Sequence, residues 1–234
     1  MTDAGAPSPI VPSPADDLPA PILLGLLRAE PIAAGPSGPR LEEEIEGTCR
    51  DFAARFAGKA PSEIPGLAPA RDLYRAFGVD PTRTRPSSEA LLRRVVQGKS
   101  LPRILNAVDL CNLCALRFHL PIGLYDADRI RGAVTLRAGR SGESYPGIRK
   151  ESVHLEGRPV LADEEGPFGN PTSDSLRTSV TGATRSLWMV IFAPAGFPRS
   201  TLEAHLRAAC NGAERHLAAS GGRVATAVTV IAAG

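Results

Sequence analysis

No apolar run in this chain approaches the roughly 20 residues that a bilayer crossing requires, so the sequence predicts a soluble protein with no membrane partner. Lysine and arginine are missing from the first 20 residues, MTDAGAPSPIVPSPADDLPA, and so is a continuous apolar core. That opening fails as a secretory signal and as a transit peptide, which leaves the cytoplasm as the expected compartment. Cysteine is scarce and scattered, at Cys49, Cys111, Cys114 and Cys210, as suits a reducing compartment and a fold without staples. Also missing are GxxxxGK[ST], GxSxG, HExxH and GxGxxG, which removes the usual phosphate, hydrolase, zinc-protease and dinucleotide signatures. No internal repeat is present.

What the chain does have is enough residues, 234, for one sizeable core, with 43% hydrophobic and 22% charged residues. Residues 1–20, rich in proline and without periodicity, are expected to form a disordered tail, and 21–234 a single globular domain. The net charge of +2 is unevenly spread. From Arg71 to Arg149 there are 14 Lys/Arg against 7 Asp/Glu, so this segment carries +7 and the remainder about −5. A basic face for nucleic acid and an arginine-rich genome both account for this.

PILLGLLRAEPI (21–32), bounded by prolines, reads as a first strand at or near a sheet edge. Apolar Leu41, Ile45, Cys49, Phe52 and Phe56 recur at helical spacing over 40–56. Shorter helices fit 70–78 and 87–98, the latter capped by Ser87 with Ala90, Leu91 and Val95 inward and Arg93 and Arg94 outward. After an apolar helix at 103–118, the segments PIGLYD, GAVTLRAG, ESVHLEGRPVLAD, RTSVTGAT and SLWMVIFAP read as four or five strands. A helix over 198–222, capped by Ser200 or Thr201, and a last strand, RVATAVTVIAA, complete an α+β pattern: a mixed sheet packed with helices.

The helix at 103–118 carries the motif NAVDLCNLCAL. Its apolar residues point in nearly every direction, yet Asn106, Asp109 and Asn112 interrupt them at intervals of three. Such polar groups cost about 1 to 3 kcal/mol each unless paired. Either neighbouring backbone satisfies them, or they line a polar pocket. Cys111 and Cys114 read as small core residues: no second Cys/His pair has zinc-ligand spacing, and a redox pair belongs at an exposed helix start. No metal and no cofactor is expected. Tyr125 reads as packed in the core.

Residues 101–143, LPRILNAVDLCNLCALRFHLPIGLYDADRIRGAVTLRAGRSGE, resemble the tRNA-editing domain of the bacterial phenylalanyl-tRNA synthetase β subunit. The order is the same: an Asn-x-Val-Asp helix, a Pro-containing turn into a strand, an Asp-x-Asp-x-Ile-x-Gly turn, and a strand running to Gly-Glu. SVTGAT (179–184) resembles that domain's Ser-Val-Thr-x-x-Thr segment, and RPSSEALLRR with DSLRTSVTGATR is closer to its free-standing relatives. The likeness covers about residues 70–195. It implies a compact α+β domain that binds the aminoacyl end of tRNA and hydrolyses the ester of a wrongly attached tyrosine, with no ligase activity from this chain alone. Asn112 matches the pocket asparagine, and Cys111 stands where threonine is common. Gly123 replaces a pocket histidine. Val190 falls near the acid that recognises the tyrosine hydroxyl, and a valine there favours an apolar group instead. The glycine pair bordering the family's pocket is replaced by Asp174, Ser175, Arg177 and Thr178.

Under this resemblance the substrate-binding candidates are Asn112, Asp109, Cys111, Asp174, Ser175, Arg177 and Thr178. Arg83, Arg85, Arg93 and Arg94 are candidates for RNA phosphate. Each has an ordinary alternative: a turn for Asp174 and Ser175, an internal ion pair for Arg177, a solvated loop for Arg83 and Arg85. The first function is hydrolysis of a misacylated tRNA, with tRNA or aminoacyl-tRNA as partner. The alternatives are a non-catalytic RNA- or amino-acid-binding module on the same scaffold, and a small-molecule ester or amide hydrolase.

Overall fold

Two apolar strands decide the architecture. In β2 (Ile22–Glu30) and β9 (Leu187–Pro194) odd and even positions alike are buried, so each needs neighbours on both faces and both edges. A computed structural model, describing residues 11–60, 63–148 and 150–233, supplies them. The other elements are β1 (Ser13–Pro14), α1 (Pro39–Arg55), α2 (Ala68–Ala76), α3 (Ser87–Val96), α4 (Asn106–Phe118), β3 (Ile122–Asp126), β4 (Thr135–Ala138), β5 (Ser144–Gly147), β6 (Lys150–His154), β7 (Pro159–Asp163), β8 (Gly166–Gly169), α5 (Arg199–His216) and β10 (Ala225–Ala233).

The fold is α+β. Its central sheet runs β10-β2-β9-β3 with every neighbour antiparallel. A second sheet runs β1-β4-β7-β8, parallel at β1-β4 and antiparallel elsewhere, and β5 and β6 form a hairpin. One face of the central sheet, from Leu23, Leu27, Met189 and Ile191, packs with α1, α3, α4 and α5. The other face, from Leu24, Leu26, Val190 and Phe192, packs with α2 and the second sheet through Leu73, Leu136, Leu161 and Phe168. Burying two apolar layers at about 25 cal/mol per Å² is the main favourable contribution to folding.

Several expectations need correcting. β2 is interior rather than an edge strand, because its prolines, Pro21 and Pro31, lie outside the ladder. The tail is ordered from at least Ser13, which pairs with Thr135; residues 1–10 lie outside the described residues. ESVHLEGRPVLAD is two strands, β6 and β7, turned at Gly157 with its positive φ of 71°. RTSVTGAT forms turns and no strand. Helices α3 and α5 start after Pro86 and Pro198 with no side-chain cap. In α3 the inward residues are Ser88, Glu89, Leu92 and Val95, not Ala90. Glu89 is drawn in by Arg71, whose Nε and Nη2 lie 2.7 and 2.8 Å from its two oxygens, with Arg85 at 3.5 Å.

Helix α4 is fixed at its start by the polar residues that looked anomalous in the sequence. Asn106 Oδ1 accepts the N–H of Gly35 (3.1 Å) and of Ala107 (2.8 Å), while Nδ2 donates to the carbonyls of Ala33 (2.8 Å) and His216 (3.3 Å). Asp109 accepts the Ile104 N–H at 2.9 Å and the Ser37 hydroxyl at 2.7 Å. Near the other end Arg117 reaches Glu44 at 2.6 Å and Thr48 at 2.8 Å, and Glu44 also meets His216 at 2.9 Å. His119 then stops the helix in the left-handed region, at φ 57°. Asn106→Ala strands several buried backbone groups at once; a loss of about 2 to 3 kcal/mol in urea unfolding is the expected outcome.

Candidate functional site

Strand β3 pairs with β9 on one side, and no strand covers its other side among the described residues. The Leu124 N–H points off that open edge, and Asp174 Oδ2 accepts it at 3.2 Å. Asp174 belongs to the segment joining β8 to β9, which is anchored before and after it. Asn170, followed by Pro171, folds an Asx-type turn in which its Oδ1 accepts the N–H of Thr172 (2.7 Å) and Ser173 (3.0 Å). Its Nδ2 donates to Tyr145 Oη at 2.9 Å, and the Tyr145 hydroxyl donates to the Ser173 carbonyl. Tyr74 Oη donates to the Pro171 carbonyl at 2.9 Å and accepts the Thr172 hydroxyl at 3.2 Å. Past Asp174, the Ser175 and Leu176 N–H groups reach the carbonyls of Phe168 (2.9 Å) and Pro146 (2.8 Å).

The Asp174 carboxylate is enclosed although the residue as a whole is partly exposed. Burial raises its pKa to about 7, against the lowering effect of the Leu124 N–H and the neighbouring Tyr125 hydroxyl. The same enclosure pushes the Cys111 thiol well up, with Cys114 and then Asp174 adding to it, and burial pushes Cys114 up to about 12. Both thiols are therefore held neutral. Burial, then Asp174, likewise raise the phenols of Tyr125 and Tyr145. Cys111, Tyr125, Tyr145 and Asp174 thus form one electrostatically coupled group at the β3 edge.

The other candidates divide. Asn112, one residue beyond Cys111 on α4, is half-buried, and its carboxamide makes no hydrogen bond. Asp109 is tied into the loop before α4, as described above, with each oxygen already holding a donor. Ser175 is buried and its Oγ accepts the Arg177 N–H at 3.1 Å; the buried Thr178 hydroxyl faces the Phe168 carbonyl at 3.5 Å. Arg177 lies 2.8 Å from Asp163 and 3.2 Å from Glu165 and donates to the Arg129 carbonyl at 3.0 Å, so its guanidinium is engaged inside the protein. Arg85 leans on Glu89 and Arg94 donates to the Ser100 carbonyl at 2.6 Å, whereas Arg83 and Arg93 are exposed without side-chain ion pairs.

Sequence reasoning missed Tyr145, Asn170 and Tyr74. The Asn-Pro pair was the available signal for the turn; nothing local marks the two tyrosines, which arrive from distant elements. Gly123 and Val190, expected at pocket positions, are direct cross-strand partners, and both face the apolar layer that contains Tyr125.

Because the folded-state pKa of Asp174 is raised, the native state holds its proton more tightly than the unfolded chain between about pH 4 and 7. Its contribution to stability is present below the unfolded pKa and lost as pH rises through about 7. In urea titrations Asp174→Asn should therefore gain on the parent between pH 5 and pH 8, by on the order of 3 kcal/mol. A pH-independent difference would show the carboxylate to be solvated.

The model of the B3/4 domain matches residues 69–209, from α2 to α5, a span that includes α4, β3 and the Asp174 segment. The phenylalanine–tRNA ligase beta subunit of Chromobacterium violaceum is 25% identical over 171 residues, 70% of this chain and 20% of that protein. Its counterpart from Streptomyces avermitilis is 31% identical over 93 residues, 39% of this chain and 11% of the relative. The chain thus spans about a fifth or less of the length of these relatives. Among solved structures, an N-terminal fragment of the phenylalanyl-tRNA synthetase beta-subunit from Pyrococcus horikoshii matches at a TM-score of 0.40 and 15% identity, covering 86% of this chain and 46% of that one. The match over most of the globular part places the chain in the B3/4 domain family.

Proposed function

We propose that this chain binds the aminoacyl end of a tRNA and hydrolyses its ester bond. The observation that carries the reading is Asp174: a carboxylate fixed at an open strand edge, with a pKa of about 7, beside a helix that offers the unbonded carboxamide of Asn112. Family membership and the likeness to phenylalanine–tRNA ligase beta subunits support an aminoacyl-tRNA as the partner.

An aminoacyl ester is reactive, so the catalyst mainly has to position water against it. Asp174 as the carboxylate takes a proton from that water as its oxygen attacks the ester carbon. The Asn112 amide N–H stabilises the negative charge growing on the carbonyl oxygen. The bond to the ribose oxygen then breaks, and that oxygen leaves with the proton Asp174 holds. Neither cysteine takes part, since both thiols stay protonated. The exposed Arg83 and Arg93 supply phosphate contacts, while Arg85, Arg94 and Arg177 keep their internal partners.

The test is single-turnover deacylation of a panel of misacylated tRNAs, with filter binding at two salt concentrations. The rate should rise with pH and level off above about 7, as the Asp174 carboxylate forms. Asn112→Ala should lower it by about 10². Binding should weaken with salt as expected for a few phosphate contacts. Unaltered hydrolysis by Asn112→Ala and Asp174→Asn would remove both residues from the chemistry. Salt-sensitive binding without hydrolysis would establish the non-catalytic RNA-binding reading instead.

A further inference from the structure

The two margins of the central sheet differ. At β3 the chain secures its own edge, since Asp174 accepts the Leu124 N–H and the Thr178 carbonyl accepts the Asp126 N–H. At β10 nothing comparable happens. Among the described residues no strand pairs with the side of β10 turned away from β2, and its outward backbone groups make no hydrogen bond. The strand reads ATAVTVIAA, nine residues without a charge, a proline or a glycine, so it lacks the devices that keep an exposed edge from pairing. Val228 is 46% exposed and Val230 half-buried, both on the face that α5 covers.

The strand is also nearly a palindrome about Thr229. Laid antiparallel on its own copy with Thr229 opposite Thr229, it sets Val228 against Val230, Ala227 against Ile231, Thr226 against Ala232 and Ala225 against Ala233. No charge meets its like, and the valine and threonine pairs at the centre favour a ladder. Helix α5 lies across β2 and β10, with Leu202 and Leu206 over Gly25 and Glu214 accepting the Thr226 hydroxyl at 2.7 Å. With strands about 4.8 Å apart, a helix so placed and its two-fold copy have axes about 10 Å apart, an ordinary packing distance, so the helices meet without obstructing the ladder. Strand and helix together offer a strip of about 30 Å by 20 Å, on the order of 600 Å² per copy, which reaches the lower end of specific interfaces.

We propose that β10 is a homodimer interface, at which two copies of this chain pair antiparallel about a two-fold axis at Thr229 and join their central sheets into one of eight strands. The pairing closes at two copies: it consumes the β10 edge of each, and the other margin, at β3, is already secured by Asp174 and Thr178. The inference is independent of the hydrolytic reading.

Sedimentation equilibrium of the full chain over a wide range of micromolar concentrations provides the test, with thermal unfolding to verify each variant. The mass should rise from 24.6 kDa toward twice that value. Val228→Lys, which puts a charge beside the ladder, should weaken association by about tenfold or more, whereas Ile104→Lys, the same change at another exposed apolar residue, should leave it unaltered. Cross-linking fixes the register even should the lysine variant unfold. Under a mild oxidant Thr229→Cys should form a disulfide-linked dimer, because each new thiol faces its own copy; Ala225→Cys, with its copy about 26 Å away, should behave like the parent and its four native cysteines. A parent that stays at 24.6 kDa throughout overturns the proposal and leaves the edge to an extended segment of a different protein. Association that the two lysine variants affect alike, a cross-link formed as readily by Ala225→Cys as by Thr229→Cys, or growth beyond the dimer overturns it as well.

Discussion

A strand at the margin of a sheet presents backbone N–H groups that need partners, and at β3 a carboxylate meets that need. The Leu124 N–H, directed away from β9, is accepted by Asp174. Burying a carboxylate beside apolar residues is unfavourable, and the Leu124 N–H and the Tyr125 hydroxyl offset that only in part, so the group holds its proton up to about neutral pH. Perturbed carboxylates of this sort are enriched at functional sites because a group that titrates near the working pH exchanges protons readily. In this molecule a structural requirement of the sheet margin and a chemical capability arise from the same bond. The turn at Asn170 and the hydroxyls of Tyr74 and Tyr145 serve mainly to keep Asp174 in place.

The polar stripe on α4 shows how far the sequence could be read. Its spacing marked Asn106, Asp109 and Asn112 as groups in need of partners inside an apolar helix, and the structure supplies partners for Asn106 and Asp109. The choice between backbone partners and a pocket was not legible, because the partners come from residues 33–37 and from His216, far off in sequence. The structure divides the stripe: the first two residues anchor the helix, and the third keeps a free carboxamide. The strands at 122–126 and 187–194 were legible because their apolar runs are bounded by turn residues; the internal position of β2 was obscured by flanking prolines.

Charged residues were the least legible. Glu89 belongs by type on a helix surface, yet the fork of Arg71 from α2 draws it inside and shifts the inward face of α3. Arg177 looked available for phosphate, but Asp163 and Glu165 from the β7–β8 turn close on it. In both cases the deciding partner is set by tertiary placement, to which hydrophobic periodicity is blind. The same holds for Tyr125. Its burial was expected from its setting, whereas its position against two glycines depends on the second sheet bringing Gly169 of β8 onto its ring.

Helix α4 is clamped near both ends, by Asn106 and Asp109 at its start and by the Glu44–Arg117 pair toward its finish, with Glu44 also engaged by His216 of α5. Its position is thereby locked to α1 and α5. On the other side, β3 has a strand partner on one flank among the described residues, and the segment between β8 and β9 braces the rest through the Asp174–Leu124 bond, the Asp126 N–H on the Thr178 carbonyl at 2.8 Å and the Thr184 hydroxyl on Asp126 at 2.7 Å.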